Sequence, residues 1–324
     1  MKKIEVLAPA GSIEQGYSAI LAGCDAIYGG LEFGNARQRA KNFSLPEYKK
    51  MLDYCRRKKV KFYLTINTLL RTDESEKTIN VLNEIELPDA IIVADIGLMI
   101  MLKKHFPSLP LHASTQFGAS SLYDIKFLES IGVSRAILSR ELILDEIRYI
   151  KENSQIELEV FIFGTQCTMF SGQCLWGGLI TESSGNRGEC NGMCRDFYSS
   201  AGITGQLMYP RDLEIGNHIK ILEQIGITSA KIEGRLRPES EIKNVIKTIK
   251  SDCLHESYSS YLSGKLPVRE MFNSVNPRVR YSKESSDIYT GHDLLFHKNR
   301  YIYGSDICDY SECNYIKLCI INRL

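Results

Sequence analysis

The sequence predicts an α/β fold: a (β/α)8 TIM-like barrel with a cysteine-rich insertion after strand seven and a small C-terminal appendage. Three observations lead there. Eight short runs rich in β-branched and aromatic residues recur along the first 250 positions. Helix-length amphipathic segments separate them. Successive runs begin about 20 to 35 residues apart until the seventh, after which about 70 residues pass before the eighth.

The runs are IEVLA (4 to 8), AIYGG (26 to 30), KFYLTIN (61 to 67), AIIVAD (90 to 95), LPLHAST (109 to 115), RAILS (135 to 139), ELEVFIF (157 to 163) and SAKIEG (229 to 234). The helical period between them is clear in LYDIKFLESIGV and LEIGNHIKILEQIGI, each closed by a glycine near the helix end. A doubly wound sheet would show the same alternation, but nothing resembles the Gly-x-Gly-x-x-Gly of a dinucleotide-binding turn, so the closed barrel is expected. A further run, QLMYP (206 to 210), is expected to return as an added strand before a helix beginning near Arg211. The domain division follows: 1–250 as the barrel with an insertion at 164–205, and 251–324 as an appendage where the rhythm is lost.

At 324 residues and 44% hydrophobic, the chain can bury a large core. Its net charge is +1, from 40 Lys plus Arg against 39 Asp plus Glu, so no global field recommends nucleic acid or an anionic membrane. MKKIEVLAPAGS lacks the apolar centre of a signal peptide, and AIIVADIGLMIML is interrupted by Asp95 and too short to span a bilayer. The expectation is a cytoplasmic protein without a membrane partner. In that compartment disulfides are rare, and clustered cysteines more often bind metal or do chemistry.

In a barrel, the last residues of every strand face one mouth, where active sites of this fold are built. Those positions are strongly polar here: Asn67, Asp95, HASTQ (112 to 116), SRE (139 to 141), Cys167 and KIEGR (231 to 235). Each has a bland account. Asp95 can cap the next helix, Ser114 and Thr115 can satisfy loop backbone, and Arg140 with Glu141 can be paired structural charges. Convergence on one rim favours function, because several buried charges without a ligand cost stability unless all are paired. Arg140, Arg235 and His112 are expected to grip an anionic small molecule, since guanidinium binds carboxylate bidentately. Asn67 and Gln116 are expected to bind substrate. Glu141, Glu233 and His112 are the candidates for moving protons or orienting those arginines.

Four of ten cysteines fall within 28 positions, as Cys167-x6-Cys174-x15-Cys190-x3-Cys194 among glycines and polar turn residues. Structural zinc usually combines two tight Cys-x2-4-Cys knuckles, whereas these wider loops suit an iron–sulfur cluster at least as well. Spacing leaves the two open, with buried or redox thiols as the remaining account. Cys24 and Cys55 sit in helix-like, partly apolar contexts and read as small core residues; Cys308, Cys313 and Cys319, with no histidine nearby, make a weaker second set. The chain carries no His-Glu-x-x-His pair, Gly-x-Ser-x-Gly elbow or P-loop, so familiar hydrolase and kinase machinery is absent.

In combination and order, LAPAGS, NFS (42 to 44), HASTQ, LSREL, FIFGTQCTMFSGQC, NRGECNGMCR and KIEGR resemble peptidase family U32, the collagenase-like proteases, over about residues 5 to 250. Several members of that family are implicated in oxygen-independent hydroxylation of a tRNA uridine, a ribosomal RNA cytidine or the ubiquinone ring. The resemblance implies that Cys167, Cys174, Cys190 and Cys194 hold a [4Fe–4S] cluster, with prephenate as an oxygen donor. The implied activity is oxygen-independent hydroxylation of an RNA base, a peptide or a small aromatic metabolite, with a related partner subunit as a further implication. Two other classes stand beside it: a collagenase-like peptidase, and a non-catalytic iron–sulfur partner subunit.

Overall fold

A computed structural model of the chain describes residues 3–251, apart from 166, 168, 171–172, 201–202, 206–211 and 215–218, together with three strands between 295 and 309. Seven strands pair in chain order and in parallel: β1 (Glu5–Pro9), β2 (Ala26–Gly30), β3 (Lys61–Ile66), β4 (Ala90–Val93), β5 (Leu111–Ala113), β6 (Arg135–Ile137) and β7 (Glu157–Thr165). Beyond β7 come a hairpin of β8 (Tyr198–Ser200) and β9 (Ile203–Gly205), and a strand β10 (Asp212–Glu214). The eighth barrel strand, β11 (Ser229–Ile232), then pairs in parallel with both β7 and β1, which closes the sheet.

Helices α1 (Ile13–Leu21), α2 (Leu45–Lys58), α3 (Thr72–Glu84), α4 (Ile96–His105), α5 (Leu122–Ser130) and α6 (Leu144–Glu152) alternate with the strands. A short α7 (Trp176–Thr181) lies in the insertion, and α8 (Ile219–Ile225) and α9 (Glu239–Lys250) flank β11. Their starts were written locally. Ser12 caps α1 by accepting from the Gln15 N–H, Ser44 and Glu47 form a reciprocal capping box on α2, and Asp95 caps α4 by accepting from the Leu98 N–H at 2.8 Å. Gly132 and Gly226, at φ +80° and +90°, follow α5 and α8 as the glycine positions predict.

One expectation needs correcting. The helix expected near Arg211 begins at Ile219, because Asp212–Glu214 pair antiparallel with Phe163–Thr165 instead. Strand β7 runs nine residues and overshoots its barrel neighbours, so its unpaired edge takes β10. The run at 206–210 lies outside the described residues. In the appendage, β12 (Leu295–His297), β13 (Arg300–Tyr303) and β14 (Asp306–Asp309) form an antiparallel sheet; the side chains of Cys308, Cys313 and Cys319 lie outside the described residues. Among the described residues, no helix is long and apolar enough to cross a membrane.

The core between sheet and helices is apolar, with Leu7, Ile27, Met51, Leu52, Phe62, Leu64 and Ile91 fully buried. Cys24 and Cys55 lie in it as expected, burial pushing both thiols up, Cys55 to about 12. The barrel's inside is not apolar. Arg135, 2% exposed, stands 2.6 Å from Glu5, 2.6 Å from Glu157 and 3.1 Å from Glu159, and Glu159 also pairs with Lys231 at 2.8 Å. Since β1 and β6 are not neighbours in the sheet, the Glu5–Arg135 contact must cross the interior. The two buried cations outweigh the desolvation that would raise Glu159, and hold it as a carboxylate.

Candidate active site

Above that layer, three chain segments deliver charge to the mouth. Glu233 directly follows β11, Arg140 follows β6, and Arg37 comes from the connection between β2 and α2. Arg37 Nη2 lies 2.6 Å from Glu233 Oε1 and Arg140 Nη2 lies 2.8 Å from Glu233 Oε2, so one carboxylate is gripped from both sides. Arg140 also donates to the Thr165 carbonyl at 2.6 Å and rests 4.1 Å over the Phe161 ring. Burial alone would raise the Glu233 carboxyl, but the two guanidiniums prevail and hold it below its ordinary value. The site therefore keeps Glu233 ionised at neutral pH. Gly164 makes this approach possible: a Cβ there would stand 2.4 Å from Glu233 Cβ, and its φ of +127° suits glycine.

Arg235 sits deeper, 7% exposed, and donates to Asn35 at 3.0 Å, to Thr65 at 3.4 Å and to Asn42. Its acceptors are neutral oxygens, and burial lowers its pKa to about 10, still fully charged at neutral pH. Arg235 thus ties the 31–43 connection to the barrel. Tyr28, which donates to the Ile232 carbonyl at 2.9 Å, feels Glu233, Arg235, Arg37 and Arg140 together, which marks these groups as one cluster.

The other expected residues distribute unevenly. His112 is not part of that cluster. It lies on β5 inside the barrel, edge to face with Tyr63 at 4.7 Å, and the charges facing it are Arg135, Glu159, Lys231 and Lys61. Burial, reinforced by Arg135, lowers its pKa to about 3, so it is a neutral imidazole there. Glu141 is buried immediately after Arg140. Asn67 accepts from the Ala36 N–H at 2.9 Å and donates to Ser114 at 3.0 Å, while the Gln116 N–H donates to Ser114 Oγ at 3.2 Å. Asn67 and Gln116 both line a cleft of about 610 Å³ that reaches the insertion.

The insertion is fixed to the rim at several points. Arg187 forms a bidentate pair with Glu74 at 2.8 and 2.6 Å and donates to the Leu69 carbonyl at 2.8 Å. Those hydrogen bonds pull the Glu74 carboxyl down to about 2. The Gln38 N–H donates to the Gly188 carbonyl, and a Cβ on Gly188 (φ +85°) would stand 2.2 Å from the Asn35 carbonyl oxygen. Thus the 31–43 connection and the cysteine loop are packed backbone to backbone.

Cys167 comes two residues after the end of β7, and Cys174, Cys190 and Cys194 follow on the insertion, none of them disulfide-bonded and none of them buried. A Cβ built on Gly185 would lie 3.5 Å from Cys174 Cβ and 3.9 Å from Cys190 Cβ, so the glycine leaves open the ground between those two thiols. Arg37 stands within electrostatic reach of Cys190. Among the described residues, no three His, Cys, Asp or Glu side chains stand close enough to hold one ion. A single zinc would bring its sulfurs to about 3.8 Å of one another, given Zn–S bonds of about 2.3 Å; a cubane takes one thiolate at each of four separate irons, further apart. Two soft thiols, Cys174 and Cys190, flank the ground kept open at Gly185, with a guanidinium within electrostatic reach of Cys190 to offset negative charge; that donor chemistry fits a cluster wider than one ion.

Sequence reasoning missed Arg37, Asn35, Asn42 as a ligand of Arg235, and the Glu74–Arg187 anchor. The signal for the first three was the connection LEFGNARQRAKNFS, unusually long and polar for a βα loop.

The chain matches the model of a family described as peptidase family U32 over residues 11–265. It is 35% identical over 253 residues to the 23S rRNA 5-hydroxycytidine C2501 synthase of Escherichia coli K12, an alignment covering 75% of this chain and 38% of that protein. It is 34% identical to the tRNA hydroxylation protein P of Helicobacter pylori, covering 73% and 61%, and 30% identical to a collagenase of Porphyromonas gingivalis, covering 80% and 66%. The chain thus spans between two and about three fifths of the length of these two RNA-directed relatives. The solved structure of the U32 peptidase Mk0906 superposes with a TM-score of 0.50 at 13% identity, over 74% of this chain and 95% of that one, and shares the fold.

Proposed function

The chain belongs to peptidase family U32, and from that premise we propose that it is an iron–sulfur enzyme that hydroxylates an RNA base without molecular oxygen. The observation that carries the reading is the meeting of the cysteine loop with the Arg37–Glu233–Arg140 cluster at one barrel mouth. The activities of the RNA-directed relatives supply the substrate class. Cys167, Cys174, Cys190 and Cys194 would hold a [4Fe–4S] cluster, which when bound supplies one-electron transfer or a Lewis-acidic iron.

Converting an aromatic C–H into C–OH with an oxygen atom taken from a donor (ArH + XO → ArOH + X) oxidises the ring by two electrons and reduces the donor by two, and the proton that leaves carbon ends on the new oxygen. The chain's residues address three parts of that balance. Arg37 and Arg140 present guanidinium groups to an anionic donor, for which prephenate is the candidate by family resemblance, and Glu233 keeps them oriented. Glu233, ionised and doubly paired, can accept a proton once an anionic ligand draws one arginine away. Arg235 positions the 31–43 connection rather than facing the ligand. In this reading Arg37 joins Arg140 in facing the anionic donor. Proton transfer is assigned to Glu233 in preference to His112, which burial holds neutral in the layer below.

Mass spectrometry of total RNA from a strain lacking the gene tests the proposal. One tRNA or ribosomal RNA nucleoside should lose one oxygen and regain it on complementation; an unchanged nucleoside inventory rejects the reading. The collagenase relative motivates a second reading, cleavage of denatured collagen. Cleavage by the purified protein that an Arg140→Ala change abolishes would favour it instead.

A further inference from the structure

The cleft beside the cysteine loop differs in character from the arginine cluster. Four carboxamides, Asn67, Gln116, Gln173 and Asn186, line it together with the ring of Phe117. Among the described residues its lining holds no lysine or arginine, and the one charge there is Asp95, whose two oxygens accept from the backbone N–H groups of Leu98 and Leu70. An anion entering here would meet a carboxylate and no cation. Its volume of about 610 Å³ is in the range of small-molecule pockets.

Carboxamides present donor and acceptor side by side, the pattern that pairs with the edge of a nucleobase, and an aromatic ring offers the base a stacking surface. Phe117 is held parallel to Phe127, with centroids 6.3 Å apart and planes at 6°. The amides differ in freedom. Asn67 is held by Ala36 and Ser114, and Asn186 accepts from the Cys174 N–H at 3.2 Å. Gln173 makes one long contact with the Phe117 carbonyl at 3.4 Å. Among the described residues, the Gln116 side chain has no hydrogen-bond partner, so its amide is available to a ligand. Gln173 and Leu175, both in the lining, flank Cys174 in the chain.

We infer that this cleft is the base-reading subsite: it takes one unstacked nucleobase, stacked on Phe117 and hydrogen-bonded along its edge by Gln116 and Gln173, and presents it to the cysteine loop. The inference deepens the proposed hydroxylase reading and rests on it for the choice of RNA. It separates the mouth into a neutral half for the base and a cationic half, at Arg37 and Arg140, for the anionic donor. Gln116 and Phe117 then determine specificity without holding the cluster.

Fluorescence anisotropy with the anaerobically purified full chain tests this through binding alone. The probe is a labelled oligoribonucleotide with one uridine or cytidine flanked by abasic sugar-phosphates; the reference is the all-abasic oligomer. The base-containing probe should bind more tightly than the reference. Gln116→Leu and Phe117→Leu should each remove about fivefold to tenfold of that difference, roughly the worth of one hydrogen bond or stacking contact. Binding to the reference should not change, and circular dichroism should report intact folding. Equal binding of the two oligomers by the wild-type chain overturns the subsite, as does a base-dependent difference that both variants retain. Malonate, as a dianion probe, should leave base binding intact; competition between them would also overturn it. Because the RNA inventory of the deletion strain is read separately, loss of a hydroxylated nucleoside without base-dependent binding would condemn this subsite while sparing the hydroxylase.

Discussion

Glu233 and His112 are both buried and both titratable, yet their surroundings drive them to opposite charge states. Glu233 stays ionised because two arginines reach it against the effect of burial, and His112 stays neutral because burial, reinforced by the nearby Arg135, disfavours its charged form. The second case has a measurable pH signature. His112 titrates near 6.5 when unfolded and about 3 when folded, so between those values the unfolded chain binds a proton that the folded chain refuses. Stability from this group is complete above 6.5 and declines as pH falls toward 3, by about 1 kcal/mol between pH 7 and 5.5. Urea unfolding across that range should show the decline, and His112→Gln should flatten it by about that amount; an unchanged slope would place the imidazole in water. The polar character of the mouth was legible residue by residue, because strand ends are easy to place from the eight runs. Depth was not legible. HASTQ puts His112 at a strand end by its sequence position, but β5 starts at Leu111 and leaves His112 facing the layer of Arg135, Glu159 and Lys231.

At the scale of elements, the strands, capped helices and the site of the insertion could all be read, since each follows from local periodicity and turn chemistry. What holds the insertion could not. Arg187 and Glu74 are 113 positions apart, and no local pattern announces such a pair. Strand β10 was hidden for a related reason: LEIGNHIKILEQIGI satisfies a helical period, but its first residues meet the free edge of β7 and are captured by it. The backbone packing of the 31–43 connection on the cysteine loop makes Gly188 a test. Gly188→Ala forces a side chain to 2.2 Å from the Asn35 carbonyl and into a left-handed φ, at a cost of about 1–3 kcal/mol to that contact. Hydrogen exchange should then speed up in the insertion and in 31–43 while the barrel strands keep their protection. Arg187→Ala, which removes a pair about one third exposed, should do the same by about 1 kcal/mol or less. Equal protection in both variants and the parent would show that these contacts do not hold the loop.

Over the whole molecule, charge is stacked inside the barrel in two layers, one structural and one at the mouth. The lower layer, Glu5, Arg135, Glu157, Glu159 and Lys231, spans four strands, β1, β6, β7 and β11, and fixes their register from within. Lys231 joins the layers, being paired with Glu159 and resting 4.4 Å over the Tyr28 ring. Arg135→Met should leave three carboxylates without their common partner and cost about 3–5 kcal/mol, read as a fall in urea midpoint at pH 7. A loss under 1 kcal/mol would mean that the layer is solvated. With the scaffold's charges paired below, the arginines and thiols stand above them at the mouth, and the central claim is that those thiols carry an iron–sulfur cluster. Iron and acid-labile sulfide, measured on the anaerobically purified full chain and on its four single Cys→Ala variants at 167, 174, 190 and 194, test it most directly. The account predicts a brown protein with about four iron and four sulfide per chain, and loss of most of the iron in each variant with the barrel still folded. A colourless parent containing one zinc, or four variants that keep the full iron content, would contradict it.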